Sequence, residues 1–292
     1  MKVLVFFSGG KDSQACLIHS VKLYGVENCE AVFCDTGWEH PYTYEHIKSV
    51  TSQMGVKLVT LRSEKYEGMI DLVKKRKGFP APNRRFCTTE LKSIPAIDYV
   101  LSHKEHLIII EGIRSQESFS RSKMEPACTY FKWYFQPMTN GKTHTYRKKD
   151  VVKWCAEYNA DKIRPVFAWS GQEVIDYIKA NRQEPNPLYS MGFSRVGCFP
   201  CIMSRHLDII NIEKIFPDQL NQLEQIEKEI GKSFFGPGYI PDYAQTGKRV
   251  NGKKIPTIND IKKYLTSKNA TGDLFQSEGE GTSCMSYYGL CE

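Results

Sequence analysis

Short apolar runs alternate with amphipathic stretches through the first half of the chain. Residues 3–7, 31–34, 56–61 and 107–110 read as strands. Between them, residues 14–24 place Ala15, Leu17, Ile18, Val21 and Leu23 at helical spacing, and 42–54 run to a stop at Gly55. Two further helices are expected over 66–75 and 94–101. Alternation of this kind predicts an α/β fold, a doubly wound parallel sheet with helices on both faces. Ligands of such sheets sit beyond the carboxyl ends of the strands. Past Lys149 the pattern turns helical. Residues 172–181 read as a helix capped by Ser170, and 209–230 as one or two helices interrupted at Pro217. Residues 231–254, rich in Gly, Pro and Tyr, read as an ordered loop, and the polar stretch 266–281 as mobile.

Three of the expected strand ends carry chemistry. The first strand runs straight into Ser8-Gly9-Gly10-Lys11-Asp12-Ser13, just ahead of a helix. Two glycines let the backbone take positive φ and approach a ligand closely. A glycine turn at a helix N-terminus offers unpaired N–H groups to an anion, and Lys11 and the serine hydroxyls add to it. The spacing is not the Gly-x-x-x-x-Gly-Lys-Ser/Thr of P-loop NTPases. Asp35-Thr36-Gly37 and Gly112-Ile113-Arg114 end two other strands. Together the three ends point to one nucleotide pocket, although Asp35 by itself also reads as a simple cap.

Composition narrows the class. The 292 residues are 41% hydrophobic and 25% charged, as in soluble globular proteins. The apolar run at 107–110 is too short to span a bilayer, and 3–7 is too short for a signal peptide, so a cytoplasmic protein with no membrane partner is expected. The net charge of +7 favours anionic partners. Lys74-Lys75-Arg76-Lys77, Arg84-Arg85 and Arg147-Lys148-Lys149 face nucleotide, nucleic acid or water. Trp133, Tyr134 and Phe135 read as packing residues.

Ten cysteines are too sparse for a disulfide scaffold, so metal or catalytic roles come forward. Cys198-Phe199-Pro200-Cys201 places two thiols at a spacing that grips one metal or cluster. Cys87 follows Arg84-Arg85, a basic setting that favours thiolate. Zinc, a redox dithiol and an iron–sulfur cluster all use such a pair; for zinc, His206 would complete a set with Cys87. Cys16, Cys29, Cys34 and Cys155 lie in or beside apolar stretches and read as core thiols.

These motifs resemble the phosphoadenylyl-sulfate (PAPS) reductase family, within the adenine-nucleotide α-hydrolase-like superfamily that includes the ATP pyrophosphatases with their Ser-Gly-Gly-Lys-Asp-Ser loop. The matching blocks are Ser8 to Ser13, Asp35-Thr36-Gly37, Arg85 to Pro95, Gly112 to Arg121 and Asn186 to Cys201. They imply a nucleotide-binding domain over 1–205 and a helical and loop extension over 206–292. By resemblance, Ser8, Gly9, Gly10, Lys11, Asp12 and Ser13 would hold nucleotide phosphates, with Asp35, Thr36, Gly37 and Gly112 lining the site. Arg114 and Arg121 would neutralise the anionic substrate, and Mg2+ would bridge phosphate to Asp12 or Asp35. Cys87, Cys198 and Cys201 would ligate a 4Fe-4S cluster, with Cys284 or Cys291 as fourth ligand or one iron left open.

Reductases of the family usually lack the Lys-Asp of the loop, and they end in a mobile Glu-Cys-Gly-Leu-His nucleophile. Here Lys11 and Asp12 are present and the chain ends Gly289-Leu290-Cys291-Glu292. An intact loop combined with cluster-like cysteines looks most like the DNA phosphorothioation sulfurtransferases. The expectation is an enzyme that cleaves ATP to an adenylyl intermediate and pyrophosphate, coupled to sulfur transfer, with a nucleic acid or a sulfur donor among its partners. The alternatives are a sulfonucleotide reductase using Cys284 or Cys291, and a non-catalytic nucleotide sensor.

Overall fold

The computed structural model describes residues 1–136, 143–247, 249–250 and 252–271. In chain order come β1 (Lys2–Phe6), α1 (Lys11–Tyr24), β2 (Cys29–Cys34), α2 (Pro41–Met54), β3 (Lys57–Leu61) and α3 (Met69–Arg76). A single turn, α4 (Phe86–Thr88), passes through a π-helical segment, Thr89–Ser93, into α5 (Ile94–Ser102) and β4 (Leu107–Glu111). Then follow α6 (Phe119–Ser122), β5 (Ala127–Thr129), α7 (Lys148–Glu157), β6 (Ala160–Ile163), α8 (Gly171–Ala180) and α9 (Pro187–Ser190). The last elements are α10 (His206–Ile215), α11 (Pro217–Ile230), a small hairpin of β7 (Arg249–Val250) and β8 (Lys253–Lys254), and α12 (Ile258–Thr271).

The main sheet has the order β3-β2-β1-β4-β6-β5, parallel except for β5 against β6. Strand order therefore reverses between β1 and β4, and the crevice beyond their carboxyl ends is a switch point. Alternate residues split between the two faces. Val3, Val5, Ala31, Phe33, Ile108 and Ile110 face a core shared with α1, α2 and α8. Leu4, Phe6, Val32, Leu107 and Ile109 face α5, α7 and the buried rings of Tyr130, Phe131 and Tyr134. A third core joins Trp38 and α3 to residues 188–202 and to α10, α11 and α12.

Helix boundaries follow local signals. His40 caps α2 by accepting the Tyr42 N–H, Pro41 starts it, and Gly55 ends it in the left-handed region. Ser170 caps α8, as the sequence predicts, and Glu173 completes a capping box with it. Glu227 takes the Phe234 N–H at 2.7 Å on one carboxylate oxygen and the Ile258 N–H at 2.9 Å on the other. It thereby ties α11 to the start of α12, and burial pushes its pKa up to about 7.

Several expectations are corrected. The apolar pattern does not predict β6, which reads Ala160-Asp161-Lys162-Ile163. Lys162 is fully buried and pairs with Glu111 at 2.9 Å, while Arg164 meets the same carboxylate at 3.0 Å. Residues 266–271, read as mobile, continue α12; the rest of that stretch lies outside the described residues. Cys16, Cys29 and Cys34 are buried as expected, but Cys155 is exposed on α7.

Candidate functional site

The chain leaves β1 and turns through Ser8 to Ser13. Gly9 has φ +82, and a Cβ there would lie 2.9 Å from Thr43 and 3.1 Å from Ile47 of α2. Gly10 stands at the N-cap of α1 and has no side chain to cap it, so the positive end of the α1 dipole faces the turn and favours an anion there. Ser13 Oγ donates to the Gly10 carbonyl at 3.0 Å and lies 3.2 Å from Ser8 Oγ. The Lys11 N–H donates to the Tyr189 hydroxyl at 3.2 Å, and its ammonium sits 5.0 Å above the same ring. Asn186 Nδ2 donates to the Gly9 carbonyl at 3.2 Å and to Thr43 Oγ1 at 3.3 Å. The block around α9 thus braces the loop from behind.

Asp12 is 1% exposed. Its Oδ1 accepts from Arg114 Nε at 2.6 Å, and its Oδ2 lies 3.5 Å from Lys11 Nζ. Both oxygens meet cations, an arrangement that orients Lys11 and Arg114. Glu117 accepts the Arg114 N–H at 2.8 Å and pairs with buried Arg121. Gly171, at the start of α8, packs beside the Arg114 guanidinium, 3.7 Å from where a Cβ would stand. His46, behind the loop, lies 3.1 Å from Gln14 Oε1, and burial pushes its pKa down to about 4.

Beyond the ends of β1, β2 and β4 lies a pocket lined among others by Ser8, Ser13, Cys34, Glu39, Lys92 and Gly112. Gly112 packs directly on the start of α1: a Cβ there would stand 2.5 Å from the Ser13 nitrogen and 2.7 Å from its Cα. Backbone cannot yield as a side chain does. Gly112→Ala is expected to cost about 1–3 kcal/mol of stability by overpacking and to weaken nucleotide binding. Thermal unfolding and ATP calorimetry both unchanged from wild type would contradict this.

Asp35 does not line that pocket. Its oxygens take Arg62 Nε at 2.9 Å, the Tyr44 hydroxyl at 2.7 Å and the Gly37 N–H at 2.8 Å. Glu39 accepts the Thr36 hydroxyl at 2.7 Å and the Tyr44 hydroxyl at 3.1 Å. Burial, with the Glu39 and Asp35 carboxylates, holds the Tyr44 phenol well above its usual range. Residues 35–39 form a hydrogen-bonded loop, and the cysteine segment is docked onto it. Glu39 and Cys198 form an antiparallel bridge, the Phe199 N–H donates to the Trp38 carbonyl at 2.8 Å, and Trp38 Nε1 donates to the Pro200 carbonyl at 2.8 Å.

Cys87, Cys198 and Cys201 line a second pocket, with Thr36, Trp38, Met69, Arg85, Leu91, Lys92, Ile202 and Met203 among its walls. Cys198 Sγ lies 3.8 Å from Thr36 Oγ1 and 3.9 Å from Glu39 Oε1. Among the described residues no three His, Cys, Asp or Glu side chains converge at metal-ligating distance. Cys284 and Cys291 lie outside the described residues. His206 is not in the lining; its Nε2 donates to the Tyr239 carbonyl at 2.7 Å. Lys92, 7% exposed, lines both pockets and forms a common wall.

Sequence reasoning did not single out Lys92, Glu39, Cys34, Asn186 or Tyr189 as site residues. Lys92, Asn186 and Tyr189 lie inside the matched motif blocks, which was the one signal available. Glu39 and Cys34 flank Asp35-Thr36-Gly37 and carry no spacing of their own.

Residues 2–204 match the phosphoadenosine phosphosulfate reductase domain, and the chain belongs to that family. It is a nucleotide-binding α/β protein of the adenine-nucleotide α-hydrolase-like superfamily. It is 31% identical to uncharacterized protein MJ0066 of Methanocaldococcus jannaschii, an alignment covering 82% of this chain and 44% of that one. The chain thus spans less than half the length of that relative. An uncharacterized 37.8 kDa protein of Escherichia phage 186 is 26% identical, with 99% of this chain and 96% of the phage protein covered. The solved PAPS reductase of Candida auris overlays with a TM-score of 0.47 at 16% identity, covering 69% of this chain and 83% of that one. Among the described residues no helix is long and apolar enough to cross a membrane.

Proposed function

We propose that this chain is an ATP pyrophosphatase that adenylylates an acceptor in the service of sulfur transfer. The acceptor nucleophile attacks the α-phosphorus of ATP. A bond from acceptor to phosphorus forms, the bond to the bridging oxygen breaks, pyrophosphate leaves with that electron pair, and the acceptor's proton passes to solvent. The observation that carries the reading is the intact Lys11-Asp12 pair at the glycine turn, with Lys11 held by Tyr189 and Asp12. A cation and helix N–H groups at that position stabilise charge gathering on departing pyrophosphate. Arg114 and Arg121 add positive charge from the β4 side. Mg2+ would bridge phosphates and a carboxylate; Asp12 and Asp35 are both engaged by cations, so the ion would have to compete for either.

For an iron–sulfur cluster the second pocket supplies three thiols, which among the described residues do not converge at metal-ligating distance and would have to close on the cluster. Three thiols share apolar walls, and Arg85 and Lys92 stand among them to offset thiolate charge. A 4Fe-4S cluster held by Cys87, Cys198 and Cys201 would supply sulfur or redox chemistry one wall away from the nucleotide. Zinc fits less well, because His206 is engaged elsewhere.

The experiment that separates the classes compares products. The expected result is pyrophosphate release from ATP, retained when the chain is truncated after Leu290. Sulfite released from PAPS with a thiol reductant, and lost with Cys284 or Cys291, makes the chain a reductase instead. ATP bound without either product leaves a nucleotide sensor.

A further inference from the structure

Backbone N–H groups of the glycine turn already have oxygen acceptors in this structure. The Ser8 N–H donates to Ser13 Oγ at 3.3 Å and the Gly10 N–H to Ser8 Oγ at 3.4 Å, so these two are met by the turn's own serines. The Lys11 N–H is met from outside the turn, by the hydroxyl of Tyr189 in α9. Lys11 opens α1, and its N–H therefore lies at the positive end of the helix dipole, where the oxygen of an anion is favoured. A phenol oxygen takes that place here. The same ring lies 5.0 Å from the Lys11 ammonium, so one side chain engages both groups that Lys11 would offer to phosphate.

Local structure puts Tyr189 there. Asn186 Oδ1 accepts the Leu188 N–H at 3.0 Å, and Pro187 starts the single turn of α9. Asn186 and Leu188 are buried and anchor that turn, the first on the Gly9 carbonyl and the second in the third core. Tyr189 between them is only half-buried, so its ring can swing outward while its neighbours stay seated.

Magnitudes decide which acceptor wins. The tyrosine contact, at 3.2 Å, is at the long end for an N–H···O bond and joins two uncharged groups. A phosphate oxygen on the same N–H makes a charge-assisted bond, shorter and about twice as strong, and it draws the ammonium off the ring as well. The hydroxyl loses to phosphate, yet it subtracts its own bond from the affinity that phosphate gains. After cleavage the same subtraction works against retention of pyrophosphate.

We propose that Tyr189 is a resident competitor for the phosphate seat: phosphate entering the loop displaces its hydroxyl from the Lys11 N–H, and the hydroxyl's return helps pyrophosphate to leave, an inference that rests on the reading of this loop as a pyrophosphate seat.

The test is Tyr189→Phe in the full chain, which keeps the ring and removes the hydroxyl. Inorganic pyrophosphate is titrated into variant and wild type by calorimetry at one fixed level of Mg2+. The variant is expected to bind about 3–10-fold more tightly, the worth of one net hydrogen bond that the ligand no longer displaces. A tyrosine that merely braced the loop would give the opposite sign. Equal or weaker binding by the variant overturns the inference, and so does failure of both proteins to bind pyrophosphate. Tighter binding by a variant that, like wild type, releases no pyrophosphate from ATP sinks the enzymatic reading alone. If Tyr189→Phe melts early, wild type decides. A crystal soaked in pyrophosphate should show the Tyr189 hydroxyl out of hydrogen-bond reach of the Lys11 N–H, with a phosphate oxygen in its place. The hydroxyl still bonded to that N–H beside bound pyrophosphate overturns the inference.

Discussion

Replacing Lys11 by alanine is expected to lower pyrophosphate release from ATP by about 10²–10³-fold, the scale seen when one preorganised group aimed at transition-state charge is removed. The Lys11 side chain is 17% exposed, so on this reading it would meet phosphate from a largely water-excluded position. ATP binding should weaken as well, because a charge-assisted contact is lost. The fold should survive. Asp12 keeps its 2.6 Å bond to Arg114, so no buried carboxylate is abandoned. Calorimetry showing ATP bound equally by wild type and Lys11→Ala, with equal pyrophosphate yields, removes the central claim about this loop.

The second large effect concerns the thiols. Anaerobically purified chain is expected to be brown and to hold about four irons, as for a cubane cluster on cysteine thiolates. Cys87→Ser, Cys198→Ser and Cys201→Ser should each bleach it. Serine is the informative replacement at Cys198, where the side chain also stands 3.8 Å from Thr36 Oγ1 and 3.9 Å from Glu39 Oε1. A hydroxyl can retain those polar contacts, so lost colour reports lost ligation and not a collapsed loop. Stoichiometric zinc with no iron in such a preparation would falsify the cluster assignment.

The glycine turn and the strands around it were legible because their signals are local. An apolar run, a turn of small residues and a helical period occupy one window of sequence. β6 was not legible, because its identity depends on Lys162 finding Glu111, 51 positions away, at 2.9 Å. Outside that pairing, Asp161-Lys162 looks like a solvated turn. Residues 266–271 of α12 were misread for a related reason: they are mostly polar, and the apolar residues that seat the helix, Ile258, Ile261 and Leu265, precede them. The site divides in the same way. Cys87, Cys198 and Cys201 were chosen by residue type and motif, and they do line one pocket. The bracing of Lys11 by Tyr189 spans 178 positions, and that of Gly9 by Asn186 spans 177. Lys92, a wall of two pockets, has no sequence pattern of its own.

The third core has a bearing on how such chains are inherited. The family match stops at residue 204, yet Ile209, Ile212, Leu220, Leu223, Ile258 and Ile261 pack in one cluster with Leu72, Leu188, Phe193 and Phe199. The edge of the shared domain therefore falls inside a hydrophobic core, not in a linker. Recombination at that edge would strip the cysteine loop of its packing, so the extension cannot be traded between proteins as a free-standing module. Any exchange that keeps the thiols in place must carry the helices that follow them.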